Sequence, residues 1–292
     1  MNPYLLRTFV AVARRGSFST AAHDLGYTQS AVSQQVAALE ADLGVALLRR
    51  RPVAPTEAGE RLLAHAGPIL LRLNAARADV RRLSGVPATE LRLGATALAD
   101  TAGSVAALVT TGRAMARVAL GVRVAAPARV TTGVASGEFD LGLVDGVAAP
   151  GDPLPLPDAG PLTVRTVTEE PVAVALPAAH PLAGRAALRL EALADAIWLD
   201  APDLAPPLDQ LRAVARTDGF AGGLRYDGTD ARTLLELVAA GAGLALLPAR
   251  VVRERTGLVG IPVAAPQVVH RTELVHGTLT APAHTVAAAL TS

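Results

Sequence analysis

Thr28-Gln29-Ser30-Ala31-Val32-Ser33-Gln34-Gln35-Val36-Ala37-Ala38-Leu39-Glu40-Ala41-Asp42-Leu43-Gly44 is the stretch that decides the amino-terminal fold. Threonine caps helices well and glycine stops them, so the spacing predicts a helix from Gln29 to Leu43. Val32, Val36, Leu39 and Leu43 recur at four, three and four residues, a stripe expected to face a core. Gln29, Ser30, Ser33 and Gln34 lie off that stripe, on a small, amide-rich face with no acid before Glu40. Glutamine can pair with adenine edges in a major groove, and serine can reach bases or phosphates. On an isolated helix the same residues would be an ordinary solvated face.

The flanks favour the first reading. Asn2-Pro3 opens a helix carrying Leu5, Leu6, Phe9, Val12 and Ala13, and Gly16 ends it. Ser19 is expected to cap a short second helix, Thr20–Leu25, stopped by Gly26. A short helix, a glycine turn and a polar-faced helix make a helix-turn-helix. Downstream, Arg49, Arg50 and Arg51 sit on a short loop before Pro52, placed to neutralise phosphates without reading sequence. Alone, such a triplet would be a solvated turn.

Residues 5–66 resemble the DNA-binding module of LysR-type transcriptional regulators. The resemblance runs through Phe9–Ala13, Gly16-Ser17-Phe18-Ser19, Ala21-Ala22, Leu25-Gly26, Gln29–Ser33, Leu39-Glu40, Leu43-Gly44, Leu47-Leu48 and Thr56-Glu57-Ala58-Gly59. It implies a winged helix-turn-helix that binds double-stranded DNA. The wing is about two residues shorter than usual in that family, and Pro55 stands where a strand residue is expected, so a stunted hairpin is anticipated. Next, Leu62, Ala66, Ile69, Leu73, Ala76, Val80 and Leu83 form a heptad seam. In the family this helix pairs two subunits. A homodimer or a dimer of dimers, presenting two recognition helices to an operator with two half-sites, is implied, with Leu62, Ile69, Leu73 and Val80 at the contact. A helix packed on its own domain is the alternative. Gly67-Pro68 is expected to kink it.

Ser84-Gly85-Val86-Pro87 reads as a hinge. The expected organisation is residues 1–59 for DNA binding, 60–88 as linker and dimerisation helix, and 89–292 as a regulatory domain of two lobes. Beyond the hinge, strand-like and helix-like segments alternate, including a helix at Asp100–Thr111 and another at Val130–Ser136, which argues α/β with mostly parallel sheets. Gly137–Leu143, Leu176–Leu182, Val238–Gly243 and Leu247-Pro248 resemble landmarks of the LysR-type effector domain. That resemblance implies a two-lobed, periplasmic-binding-protein-like fold with crossing strands near 162–167 and 263–269. It also implies a cleft that takes a polar or anionic small molecule just after strands. Thr96, Ala97, Thr131, Asp200, Thr229 and Asp230 are the candidates, each equally readable as a plain helix cap. The segment 101–118 is short and 148–161 is a Pro- and Gly-rich loop, so a trimmed first lobe and a small pocket are expected.

Composition fits. The chain has 292 residues, 51% hydrophobic but only 3% aromatic, so its cores must be aliphatic. There is no Cys, which excludes disulfides and thiolate metal sites. Residues 1–84 hold 11 Arg against 6 acids, a charge of +5, while the remainder is mildly acidic at −4. The amino terminus has the wrong order of charge and apolar run for a signal peptide, and no uncharged stretch is long enough for a membrane span. A cytoplasmic protein without cofactor or metal is expected. No nucleophile elbow, phosphate loop or zinc-protease helix is found. The six His are scattered, with His270, His276 and His284 expected to be exposed. The rival classes are an architectural DNA-binding protein whose carboxy-terminal part serves only assembly, a solute-binding transport component, and, least of all, an enzyme.

Overall fold

A computed structural model describes residues 1–82, 90–99, 102–115, 118–157, 160–253 and 255–291. Leu83, the expected hinge Ser84–Pro87 and Asp100 lie outside the described residues. The chain divides into two compact units, one built on Met1–Arg77 and the other on Ala78–Pro157 and Pro161–Ser292.

The first unit contains α1 (Pro3–Arg15), α2 (Phe18–Leu25), α3 (Gln29–Leu43), β1 (Leu48–Arg50), β2 (Val53–Pro55) and most of α4 (Glu57–Arg82). Asn2 caps α1, its side chain accepting from the Tyr4 N–H at 2.9 Å, with Pro3 in the first turn. The second helix starts two residues earlier than expected. Its cap is Ser17, which accepts from Thr20 N at 3.2 Å, and Ser19 lies inside the first turn. Gly16, Gly26 and Gly44 end the three helices at φ of 59°, 68° and 69°, a left-handed backbone that glycine adopts freely. Leu6, Phe9 and Val12 meet Ala21, Ala22, Val32, Val36 and Leu39 in one core. Leu43, expected in that stripe, is 40% exposed, because the helix ends there with no element over it in this unit.

The wing forms despite Pro55, with Leu48 opposite Pro55 and Arg50 opposite Val53 in an antiparallel pair of three-residue strands. Gly59 anchors it to α4: a Cβ there would lie 2.1 Å from the Leu47 carbonyl oxygen, so no other residue fits. Helix α4 runs through Pro68 as one element rather than breaking. Ala64 and Pro68 are exposed, so water can take the carbonyl that proline leaves unbonded. Along the seam, Ala66 is buried in the first unit's core and Leu62 packs beside it. Ile69 and Val80 are 38% and 70% exposed.

The second unit contains β3 (Glu90–Ala95), α5 (Ala102–Ala114), β4 (Ala119–Val124), α6 (Pro127–Ser136), β5 (Leu141–Ala148), β6 (Thr163–Pro177), β7 (Leu188–Arg189), β8 (Ile197–Asp200), α7 (Leu208–Ala215), β9 (Ala221–Arg225), α8 (Ala231–Ala239), β10 (Ala245–Pro248), α9 (Ala249–Arg253), β11 (Leu258–Ala265), β12 (Val269–His276) and α10 (Ala281–Leu290). The main sheet has the order β4-β3-β5-β12-β6-β11-β7, with β10 also on β6, and β8 and β9 form a parallel pair. Strand β6 belongs to both lobes. Its residues 163–171 pair with β12, and 172–177 pair with β10 and β11. The crossing is therefore at Pro171-Val172, later than the expected 162–167. The sequence marks it: Thr163–Glu170 is mostly polar, then Val172–Leu176 is an unbroken buried apolar run. The second crossing is the link 266–268 between β11 and β12, inside the expected range. One lobe is packed on Leu91, Leu93, Leu141, Leu143 and Leu274. The other is packed on Val174, Leu176 and Ile261 around Trp198 and Phe220, whose rings lie 5.3 Å apart.

Candidate nucleic-acid interface and ligand cavity

In the first unit, Gln29, Ser30 and Gln34 are exposed on α3 and Ser33 is half-buried. Thr28 caps the helix, accepting from Ala31 N at 3.2 Å, and its hydroxyl lies 3.0 Å from that of Ser30. Gln35 turns the other way and accepts from the Thr8 hydroxyl at 2.6 Å, tying α3 to α1. The amide-rich outer face is thus exposed while one glutamine holds the inner face in place.

The three wing arginines differ. Arg49 and Arg51 are exposed and make no ion pair among the described residues. Arg50 bonds to Glu40 at 3.2 Å and lies 4.9 Å from the Phe18 ring centre. Glu40 also accepts from the Leu47 and Leu48 N–H groups at 2.8 and 3.1 Å. One carboxylate on α3 therefore orients the wing, a role the sequence reading missed.

In the second unit a cavity of about 210 Å³ lies among the ends of β5, β10 and β12, the segment 154–157, and the segment 202–207 leading into α7. Its wall is mostly aliphatic and proline-rich. The polar lining is Asp145, Asp203, Gln210 and His270, with no arginine.

None of the six residues expected to touch a ligand lines this cavity. Thr96 is buried at the end of β3, where its hydroxyl bonds to the Asp145 carboxylate and accepts from Asp145 N at 3.0 Å. Ala97 follows it, half-buried. Thr131 is in the second turn of α6, not at its start, because the helix opens at Pro127 instead of Val130. Its hydroxyl donates back to the Pro127 carbonyl at 3.1 Å. Asp200 ends β8 and bonds to Arg225 at 2.7 Å. Thr229 is half-buried just before α8, and Asp230 caps that helix. Thr96 and Thr131 thus stand one bond behind the lining, and the other residues do not join them.

His270 and His276, expected to be exposed, are buried at 2% and 6% exposure. His270 Nε2 lies 2.9 Å from Asp145 and Nδ1 lies 3.1 Å from Glu170. Glu170 in turn accepts from Arg250 at 2.9 Å. Each ring nitrogen faces a carboxylate, so only the doubly protonated ring gives both a donor. Burial opposes that charge, but the hydrogen bonds the ring donates to Asp145 and Glu170 outweigh it and raise the His270 pKa above its ordinary value. Burial also opposes the Glu170 charge, and its bonds to His270 and Arg250 prevail, lowering its pKa. Hydroxyl, carboxylate and imidazole meet here, but not as a hydrolytic triad. The Thr96 hydroxyl bonds to Asp145, whereas a nucleophile needs the imidazole as its base. No group of three His, Cys, Asp or Glu placed to hold a metal occurs among the described residues.

The family described as bacterial regulatory helix-turn-helix protein, lysR family, matches residues 4–60. The LysR substrate binding domain matches residues 84–291. The HTH-type transcriptional regulator BudR of Raoultella terrigena is 33% identical over 248 residues, covering 83% of each chain. The solved structure of HinK, a LysR family transcriptional regulator from Pseudomonas aeruginosa, has a TM-score of 0.55 at 20% identity, covering 99% of this chain and 97% of that one. Full-length CbnR in complex with its target DNA has a TM-score of 0.53 at 18% identity, covering 99% of each chain. The fold is thus a winged helix-turn-helix followed by a two-lobed periplasmic-binding-like domain, and no helix among the described residues is long and apolar enough to cross a membrane. The chain belongs to the LysR family of bacterial transcription regulators, oligomeric proteins that bind DNA through the helix-turn-helix and a small-molecule effector through the second domain.

Proposed function

We propose that α3 reads its operator through Gln29, Ser30, Ser33 and Gln34, while Arg49 and Arg51 hold the flanking phosphates and Arg50 pairs with Glu40, which orients the wing. The observation that carries this is the exposed amide face of α3 beside two exposed wing arginines that make no ion pair among the described residues. Residues 1–59 bind DNA, 60–88 join two subunits through Leu62, Ile69, Leu73 and Val80, and 89–292 sense the effector. The exposure of Ile69 and Val80 supports pairing, since these apolar side chains gain most from a second helix. The effector sits in the 210 Å³ cavity, with Thr96 and Thr131 acting from behind through Asp145 and Pro127. The protein works in the cytoplasm and regulates without catalysing a reaction. Ligand shifts it between states only through different affinity for each.

The test is a set of single variants assayed on specific and random DNA. Gln29→Ala or Gln34→Ala should lower specific affinity by about 1–3 kcal/mol at the base it reads and relax preference there. Arg49→Ala and Arg51→Ala should weaken all sequences alike and flatten the salt slope by roughly 1 each. An unchanged preference in both glutamine variants would mean that another face reads the DNA.

A further inference from the structure

The cavity's lining bears on the kind of molecule it takes. A volume of 210 Å³ is small. On the scale of a ~150 Å³ apolar cavity that holds benzene, it has room for roughly eight non-hydrogen atoms. The wall offers an apolar body a dry fit through Val147, Leu154, Leu246 and several prolines.

Its polar groups are nearly all acceptors. Asp203 lines the cavity half-exposed and makes no ion pair among the described residues. The Gln210 amide donates one Nε2–H to the Val147 carbonyl at 2.7 Å, which leaves its Oε1 as an acceptor and a single uncharged N–H as a donor. His270, the one cationic group on the wall, has both ring nitrogens committed to Asp145 and Glu170. Asp145 and Asp203 together exceed its charge. Two helices begin at the cavity, α6 and α7, but they meet it through Pro127 and Pro207, which carry no N–H to receive an anion. The first turn of α7 also holds its own carboxylate, Asp209, which accepts from Gln210 N at 2.8 Å.

We infer that this cavity takes a neutral or cationic small molecule with an apolar body and a donating head group, and discriminates against carboxylates. The inference rests on the reading of the cavity as the effector site. An ammonium or hydroxyl meets Asp203 and the Gln210 oxygen, whereas a carboxylate meets the same acceptors with no free cation to pair with.

Three matched probes test it on the full chain: cyclohexylmethylamine, cyclohexylmethanol and cyclohexanecarboxylate, all close to the cavity in size. Ligand-observed NMR titration at neutral pH gives their dissociation constants. The amine should bind tighter than the carboxylate on the order of tenfold, with the alcohol between them. Asp203→Asn, at a half-exposed position with no side-chain bond to lose among the described residues, should shrink that ratio severalfold. Gln210→Trp, which fills the cavity, should abolish binding of all three. A carboxylate that binds as well as the amine, and is lost in Gln210→Trp, overturns the charge preference and leaves the site standing. Probes that bind Gln210→Trp as they bind the wild type overturn the site itself. A ratio unmoved by Asp203→Asn, or no binding by any probe, also overturns the inference.

Discussion

Glu40→Ala is the change that most directly tests how the wing is held. The Glu40 carboxylate accepts from the N–H groups of Leu47 and Leu48, residues only 1% and 4% exposed. Removing it leaves two donors in a dry place, each costing about 1–3 kcal/mol when unsatisfied. The ion pair to Arg50 adds little: the two side chains are 48% and 16% exposed, and such pairs contribute about 0–1 kcal/mol. The expected loss is therefore about 2–6 kcal/mol, nearly all from the backbone donors. Against a typical domain stability of about 5–15 kcal/mol, that is enough to free the wing or unfold its unit. Glu40→Gln separates the two contributions, because its carbonyl still accepts while the charge is gone, and it should lose about 1 kcal/mol or less. Hydrogen exchange at the Leu47 and Leu48 amides is the readout, with far-UV dichroism following urea unfolding of the whole chain. Binding to all DNA sequences should weaken together, because the wing carries Arg49 and Arg51. If Glu40→Ala keeps both amides protected and the unfolding midpoint unchanged, the carboxylate does not hold the wing.

Two further predictions concern other parts of the chain. Leu73→Glu places a charge in the α4 seam, where burial is unfavourable, and should convert dimers to monomers in sedimentation velocity; a variant that stays dimeric assigns the contact elsewhere. The His270 cluster gives the second unit a pH signature. The raised His270 pKa stabilises the fold fully below the ordinary histidine value of 6.5, and that stability is lost as pH rises through the higher folded value. The lowered Glu170 pKa stabilises above the ordinary glutamate value of 4.5 and is lost on acidification. Calorimetric Tm should therefore be highest between those values, and His270→Gln should remove the alkaline decline and shrink the acid one, which the Arg250 bond to Glu170 still supports. A wild-type Tm that keeps rising above pH 7 would show the ring to be neutral.

The two units were legible from sequence to different depths, for a physical reason. In the first, the devices that shape the fold are local. A capping Asn2, Thr28 at the head of α3, a glycine after each of three helices and a short apolar period all act within a few residues of where they are read. The error there is local too: Ser17 and Ser19 are both good caps two residues apart, and only the Thr20 amide, bonded to Ser17, decides between them. In the second unit the alternation of strands and helices is legible, but the cavity is not. Asp145, Gln210, Leu246 and His270 come from β5, α7, β10 and β12, far apart along the chain. Thr96 and Thr131 read as hydroxyls beside strand ends, and both lie one bond behind the wall rather than on it. His270 looked like an isolated histidine because its partners are 125 and 100 residues away in sequence. A signal was nonetheless present. Asp145 closes the otherwise apolar run Leu141–Val144, and a carboxylate carried into a core must find a donor there. With no lysine in the chain, that donor had to be an arginine, a histidine, a hydroxyl or an amide. The sheet order, which sets β12 directly between β5 and β6, selects the histidine and makes it bridge two carboxylates at once.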